Sequence, residues 1–148
     1  MVYLITISRL AGKRNFLAPA MKISVRLALL TGIILPVIEV IRRWHQLLDL
    51  HYFFAWFDDF LIGGFLLFAV WKVNVSAVNG QRFLTAAWGF ATGMAYASFF
   101  IQFINQSLPD PSGLPVKAVL AFKFAGLILC MTGLLLSLKN IKTENEIN

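Results

Sequence analysis

The residues of this chain that could do chemistry are charged side chains in stretches that are otherwise apolar. Asp58 and Asp59 are adjacent carboxylates inside one apolar stretch, and Lys123 lies inside another. Glu39 closes a third stretch, one turn before two arginines. Charges are costly in a low-dielectric environment, and where they persist they are typical of ion pairs, proton relays and ion pathways. They are therefore the starting points for a functional site.

The spacing of histidine, cysteine and catalytic residue types gives little support for metal binding or catalysis. His45 and His51 are six residues apart, which does not place them together on one helix face, and no H-x-x-x-H or H-E-x-x-H spacing occurs. They are weak candidates for metal ligands. Cys130 is the sole cysteine, so neither a disulfide nor a cysteine-built metal site can form within one chain. With no catalytic triad order and no glycine-rich phosphate loop, we expect no catalytic residue and no cofactor, which favours a protein that is not an enzyme.

The composition of the chain indicates the kind of protein that must position these charged residues. Apolar residues make up 59% of the 148, against roughly 45–50% in a soluble domain. Charged residues make up only 14%, which is too little polar surface to keep a chain of this length dispersed in water. The composition therefore predicts a small integral membrane protein whose main solvent is the lipid bilayer.

Four continuous apolar stretches predict an all-α protein with four transmembrane helices. Each stretch is long enough to cross a bilayer as a helix, which takes roughly 20 residues, and none alternates as barrel strands do. The connections are short, which predicts an up-down bundle. Residues 1–22 are a basic leader, either floppy or lying on the membrane surface, and residues 139–148 are a polar tail. The predicted spans within the transmembrane domain, residues 23–138, are residues 23–41, 53–73, 83–104 and 116–138.

The placement of lysine and arginine predicts the orientation of the spans. With the N terminus in the cytoplasm, nine of these residues lie on the cytoplasmic side and three on the other, with Lys123 inside the fourth span. This bias favours cytoplasmic termini and a bacterial inner-membrane location, although Arg42 and Arg43 are a local exception on the outer side. The net charge of +6 then reflects topology, and it implies no nucleic-acid partner.

Small residues at helical spacing predict where helices approach closely. In lipid, helix association relies on such residues and on polar contacts. We expect these positions to pack inside the bundle, with a dimer interface or a ligand cleft as the less favoured interpretation. Cys130 is then a small core residue rather than a nucleophile. The predicted packing residues are Gly89, Gly93 and Ala97 in the third span and Gly126, Cys130 and Gly133 in the fourth.

The charged side chains gather toward the outer half in the predicted topology. Asp58 and Asp59 lie five and six residues into the second span and Lys123 seven residues into the fourth, so all three sit at a depth of roughly 10 Å. We expect Lys123 to pair with one of these aspartates; the alternative is that it snorkels to the interface. Glu39 is expected to pair with an arginine of the following turn. The candidate polar site comprises Glu39, Asp58, Asp59, Lys123 and Gln102.

Two short segments resemble the small multidrug resistance transporters. They are Glu39-Val40-Ile41 at the end of the first span and Thr92-Gly93-Met94-Ala95-Tyr96 in the third. In that family a membrane-embedded glutamate exchanges protons for cationic substrates, and the proteins work as dimers. This chain departs from the family because Glu39 ends its span and Phe99 stands where the family has tryptophan. The resemblance implies proton-coupled export as an alternative, and it assigns no family.

These observations support three hypotheses about function. The first is a non-enzymatic accessory or scaffold subunit, because catalytic spacing is absent and small-residue stripes are abundant. The alternative is a small carrier or an ion or proton pathway that uses the outer-half polar site. A third is a membrane-embedded enzyme that acts on a lipid or a quinone. The expected partners are the bilayer and either a second copy of the chain or another membrane protein.

Overall fold

The computed structural model describes residues 19–44, 53–110 and 113–139. Every regular element in these residues is an α-helix, which confirms the predicted all-α class. Compared with the predicted spans, the first helix begins four residues earlier and the third begins six residues earlier. The four helices are α1 (Pro19–Arg43), α2 (Phe53–Val75), α3 (Ala77–Ile104) and α4 (Val116–Leu138). Residues 1–18 of the predicted leader and 140–148 of the predicted tail lie outside the described residues.

Three of these helices are long and apolar enough to cross a membrane. They are α1, over Pro19–Arg42, together with α3 and α4. The other helix, α2, has 23 residues but carries Asp58, Asp59 and Lys72 along its length. The predicted class of membrane protein with transmembrane helices is therefore confirmed for α1, α3 and α4.

Helices that follow one another in the chain are also neighbours in space. α1 packs on α2, α2 on α3 and α3 on α4, while α1 makes a smaller contact with α4. α2 and α4 make almost no contact and lie at opposite corners of the bundle. This arrangement decides which polar side chains of the four helices can meet.

The turn between α2 and α3 is unusually tight. Ser76 is the only residue between the two helices, and its backbone N–H donates to Lys72 O at 2.9 Å. Gly80, one turn into α3, lies directly on the backbone of Lys72 and Val73, so a Cβ at this position would overlap it. Glycine is required here because the two helices return on each other without a loop to separate them.

The core of the bundle lies toward one end. In α3 every buried residue precedes position 92, and the later turns of that helix are half-buried or exposed. The best-packed region therefore surrounds the first half of α3, together with the start of α1 and the end of α2. The buried apolar residues of the core are Met21 and Ala28 of α1, Ile62, Leu66, Ala69, Val70 and Val73 of α2, Leu84, Ala87, Trp88 and Ala91 of α3, and Cys130 of α4.

Trp88 is the centre of this core and joins three helices. Its indole N–H donates to Ser24 Oγ at 3.0 Å, and Ser24 Oγ donates to the Gly133 carbonyl at 3.0 Å. The Trp88 ring occupies the space that a Cβ at Gly133 would need. Because apolar burial gives little drive for helix association in lipid, such hydrogen bonds and close approaches hold the helices together.

The end of α4 is held by a side chain of α3. Gln81 is buried, and its amide Nε2 donates to the Ser137 carbonyl at 2.8 Å and to the Lys139 carbonyl at 3.4 Å. The last carbonyl groups of a helix have no partner within that helix, so this contact satisfies two of them. It also keeps the beginning of α3 beside the end of α4.

The small residues predicted to pack lie in two kinds of environment. Cys130 and Gly133 are buried against the core. Gly89 and Gly93 are exposed, and nothing lies within 4 Å of a Cβ built at either position. The described residues make no close approach there, because Leu84 and Trp88 direct a different face of α3 inward. Gly126 is half-buried and equally open, and Ala97 is exposed.

The closest approach between α1 and α2 occurs at glycines outside that predicted set. A Cβ at Gly63 would lie 2.7 Å from the Gly32 carbonyl oxygen and 2.6 Å from Pro36 Cγ. These two glycines therefore let the backbones of α1 and α2 touch midway along their length. The crossing positions the last turn of α1 next to the first turns of α2.

Candidate functional site

A buried carboxylate lies where α1 and α2 meet at the end away from Trp88. Glu39 is only 2% exposed, although its side chain is ionisable. Arg42 Nη2 lies 2.8 Å from Glu39 Oε2 and 2.9 Å from Oε1, so one nitrogen bridges both oxygens. The expected pairing of Glu39 with an arginine of the following turn is therefore made, and Arg42 is that residue. Charge-assisted contacts of this kind are stronger than neutral hydrogen bonds.

A second carboxyl group from α2 reaches the same place. The Asp59 side chain lies close to that of Glu39 and in the electrostatic field of Arg42 and Asp58. We call Glu39, Arg42 and Asp59 the carboxyl site. It brings ionisable side chains of α1 and α2 together.

Asp58 and the Nε atom of Arg42 adjoin the carboxyl site. Asp58 is exposed, in contrast to the half-buried Asp59 beside it. Arg42 Nε is buried, and no described residue accepts a hydrogen bond from it. The adjacent aspartates therefore differ in role: Asp59 belongs to the contact between α1 and α2, and Asp58 faces away from it.

Lys123 lies in a different part of the bundle. Its ammonium donates to Gln102 Oε1 at 3.1 Å and to the Ser98 carbonyl at 3.4 Å, both on α3. Among the described residues, no salt bridge joins it to Asp58 or Asp59. The predicted pair is not formed because α2 and α4 stand at opposite corners, so a matching depth does not bring the side chains together. We call Lys123 and Gln102 the lysine site.

The predicted polar site is thus two separate sites. Glu39 and Asp59 meet between α1 and α2, whereas Lys123 and Gln102 meet between α3 and α4. All four residues were predicted to belong to one candidate polar site. Helical spacing could not assign them to two different helix pairs, because that assignment depends on which helices are neighbours.

The metal hypothesis has no structural counterpart in the described part of the chain. Within residues 19–44, 53–110 and 113–139, no group of three or more His, Cys, Asp or Glu side chains could hold a metal ion. His45 and His51, the weak metal candidates, lie outside the described residues. The carboxyl site contains two carboxyl groups that could bind a proton or a cation. One of them, Glu39, is already paired with Arg42.

One face of α3 is small, exposed and open. Gly89 and Gly93 lie on it with empty space above them, and Tyr96 and Phe100 form a ring pair beside it with centroids 4.5 Å apart. A second helix backbone could approach this surface as closely as α1 approaches α2. We call it the open α3 face, and its members are Ala86, Gly89, Gly93 and Ala97.

Two features of these sites were not foreseen from the sequence. The outward direction of the glycine stripe was missed, although the spacing of Leu84, Trp88 and Ala91 indicates the inward face of the helix. The Ser24 and Trp88 hydrogen bond was missed as well. A buried tryptophan needs a hydrogen-bond acceptor for its N–H. That requirement is the signal that could have identified a serine as its partner.

Comparisons with known proteins add no assignment. No protein-family model matches the chain, and no curated protein and no solved structure matches it. The function must therefore be argued from the carboxyl site, the lysine site and the open α3 face.

Proposed function

We propose that this chain is a non-enzymatic accessory or scaffold subunit of the bacterial inner membrane. In this proposal all four helices span the bilayer as an up-down bundle, with both termini in the cytoplasm. The partner is a transmembrane helix of a second copy or of another membrane protein, and it docks on the open α3 face.

The observation that carries this proposal is the empty space above Gly89 and Gly93. A glycine inside a helix is less favourable than alanine by about 1 kcal/mol. Glycines on helices in lipid offset this cost when a second backbone packs on them. Gly32 and Gly63 do so inside the chain, whereas Gly89 and Gly93 have no neighbouring helix among the described residues.

Two observations support α2 as the fourth span. It has 23 residues, which is sufficient to cross, and only Ser76 separates it from α3. It also packs against both α1 and α3, two helices that are long and apolar enough to cross. Its charged residues lie toward its two ends, where water and headgroups are nearest.

Crosslinking in native membranes tests the docking proposal. The wild-type chain should give a reproducible adduct, and its mass distinguishes a second copy from a different protein. The double variant Gly89→Leu/Gly93→Leu should lose the adduct because two leucines fill the approach surface. Gly64→Leu is the matched control, because Gly64 is exposed on α2 with nothing within 4 Å of a built Cβ.

Three results would count against the proposal. They are the absence of any adduct with the wild-type chain, an adduct unaffected by the α3 substitutions, and loss of the adduct in Gly64→Leu to the same degree. Reproducible turnover or transport of a substrate by the isolated protein would oppose the accessory role directly.

The carboxyl site favours a second candidate function, a proton or cation pathway. Ionisable groups within a membrane segment are candidates for such a role by default, and here two carboxyl groups from different helices meet. In proteoliposomes, Asp59→Asn should abolish pH-dependent uptake, whereas Asp58→Asn should retain it because Asp58 faces away from the site. A wild-type flux equal to that of empty vesicles would remove this candidate.

A further inference from the structure

Basic residues in or next to all four helices lie at one end of the bundle. Lys22 and Arg26 lie in the first two turns of α1, Lys72 in the last turn of α2, Arg82 in the second turn of α3, and Lys139 at the end of α4. We call these five residues the basic end. The acidic residues that the structure describes, Glu39, Asp58, Asp59 and Asp110, all lie toward the other end.

Contacts between the helices bring the backbone segments that carry several of these residues together. Gln81, beside Arg82, donates to the Lys139 carbonyl at 3.4 Å. Gly80 lies against the backbone of Lys72 and Val73. The segment of α3 that carries Arg82 therefore lies beside the end of α2 and the end of α4, and all the acidic residues that the structure describes lie toward the other end.

Aromatic rings around Lys72 indicate the level of this end relative to the bilayer. The Lys72 ammonium lies 4.9 Å from the Trp71 ring centroid, 5.4 Å from that of Phe68 and 5.6 Å from that of Phe83. Trp71 is 54% exposed, and Phe68 and Phe83 are about equally accessible at 42% and 40%. Exposed aromatic rings with a lysine among them are typical of the headgroup level of a membrane protein.

We propose that the basic end is a binding surface for the headgroups of anionic phospholipids. Charge complementarity carries the proposal: five cations without a described acidic neighbour stand at the level of the lipid phosphates. An arginine can bind a phosphate through two parallel hydrogen bonds, and Arg82 and Lys139 are both exposed for such contacts. Cations that serve only to orient the chain would need no particular lipid.

Quenching of Trp71 fluorescence by brominated lipids tests the proposal. The full chain is reconstituted in vesicles with equal fractions of phosphatidylglycerol and phosphatidylcholine, and only one of the two lipids is brominated in each sample. The Trp71 signal is the difference between the wild-type chain and Trp71→Phe. Brominated phosphatidylglycerol should quench it more strongly than brominated phosphatidylcholine, and added salt should reduce the difference.

Two lysines at opposite ends of α4 provide a matched pair of variants. Lys139→Gln should lower the preference for phosphatidylglycerol by up to about five-fold, the effect of one charge at a membrane surface, and Arg82→Gln should do the same. Lys117→Gln should leave it unchanged, because Lys117 is equally exposed but lies at the other end. Gel filtration and helix content establish that each variant is folded.

The outcomes separate the proposal from its alternatives. Equal quenching by the two lipids in the wild-type chain would overturn it. So would a preference that survives both Arg82→Gln and Lys139→Gln, or one that Lys117→Gln lowers to the same degree. Loss of crosslinking at the open α3 face would leave the lipid preference in place, so the two proposals fail independently.

Discussion

The indole N–H of Trp88 on α3 donates a 3.0 Å hydrogen bond to Ser24 Oγ on α1, in the most completely buried part of the protein. Ser24 Oγ in turn donates a hydrogen bond to the Gly133 carbonyl on α4. Three helices are therefore joined by one short chain of hydrogen bonds. Since Trp88 and Ser24 are both fully buried, each bond forms without competition from water.

Removing either partner of this bond should destabilise the bundle. Ser24→Ala leaves the indole N–H without its acceptor, and Trp88→Phe removes the donor and some of the packing. We expect Ser24→Ala to lower the free energy of unfolding by about 1 kcal/mol, the size typical of polar contacts between transmembrane helices. A double-mutant cycle in unfolding experiments should show coupling above the few tenths of a kcal/mol seen for independent sites. Ser98→Ala, at an exposed serine of α3, is the control and should be nearly silent.

Gly133 and Gly126 lie on the same stripe of α4 but should respond oppositely to alanine. At Gly133 the added methyl group would overlap the rigid Trp88 ring, whereas at Gly126 nothing lies within 4 Å. We expect Gly133→Ala to lower the free energy of unfolding by about 1–3 kcal/mol, as overpacking does. Gly126→Ala should be neutral or stabilising by up to about 1 kcal/mol, because alanine is the better helix former. Thermal or denaturant unfolding of both variants under identical conditions is the measurement, and equal effects would contradict the packing around Trp88.

Lys123 should be coupled to Gln102 and independent of the aspartates. The ammonium lies 3.1 Å from Gln102 Oε1, whereas α2 is at the opposite corner from α4. A double-mutant cycle between Lys123→Met and Gln102→Leu should show a coupling free energy of about 0.5–1.5 kcal/mol in unfolding experiments. The cycle between Lys123→Met and Asp59→Asn should add to within a few tenths of a kcal/mol. Strong coupling in the second cycle would restore the ion pair expected from the sequence.

The carboxyl site should tolerate an amide better than a methyl group at Glu39. Glu39→Ala removes the contacts with both Arg42 and Asp59 and leaves a gap, so we expect a loss of about 1–3 kcal/mol in the free energy of unfolding. Glu39→Gln can still accept from Arg42 and donate to Asp59, and it should lose less than half as much. Unfolding of the two variants in parallel checks this order. If both lose the same amount, the contact with Asp59 contributes little.

The contacts of the polar site were predictable only where the two residues are close in the sequence. The Glu39 and Arg42 pair lies within one helical turn, so the spacing alone predicted it. The contact of Glu39 with Asp59 and that of Lys123 with Gln102 join residues that are distant in the chain. Both pairs were included in one predicted site because depth can be counted from the start of a helix. Direction around the helix axis and the identity of the neighbouring helix cannot be counted in that way.

The sequence by itself determined that this chain is an all-α membrane protein, because the free energy of transfer into lipid depends on the composition and length of each apolar stretch. It also predicted that small residues would mediate helix contacts. Only the tertiary structure decided which of them do so: Gly32, Gly63, Gly80 and Gly133 meet other atoms of the chain closely, whereas Gly89 and Gly93 open outward. The physical reason is that the face of α3 that carries Leu84 and Trp88 packs against the neighbouring helices, which leaves Gly89 and Gly93 on the outside. That choice is made by packing among four helices at once and not by the pattern along any one of them.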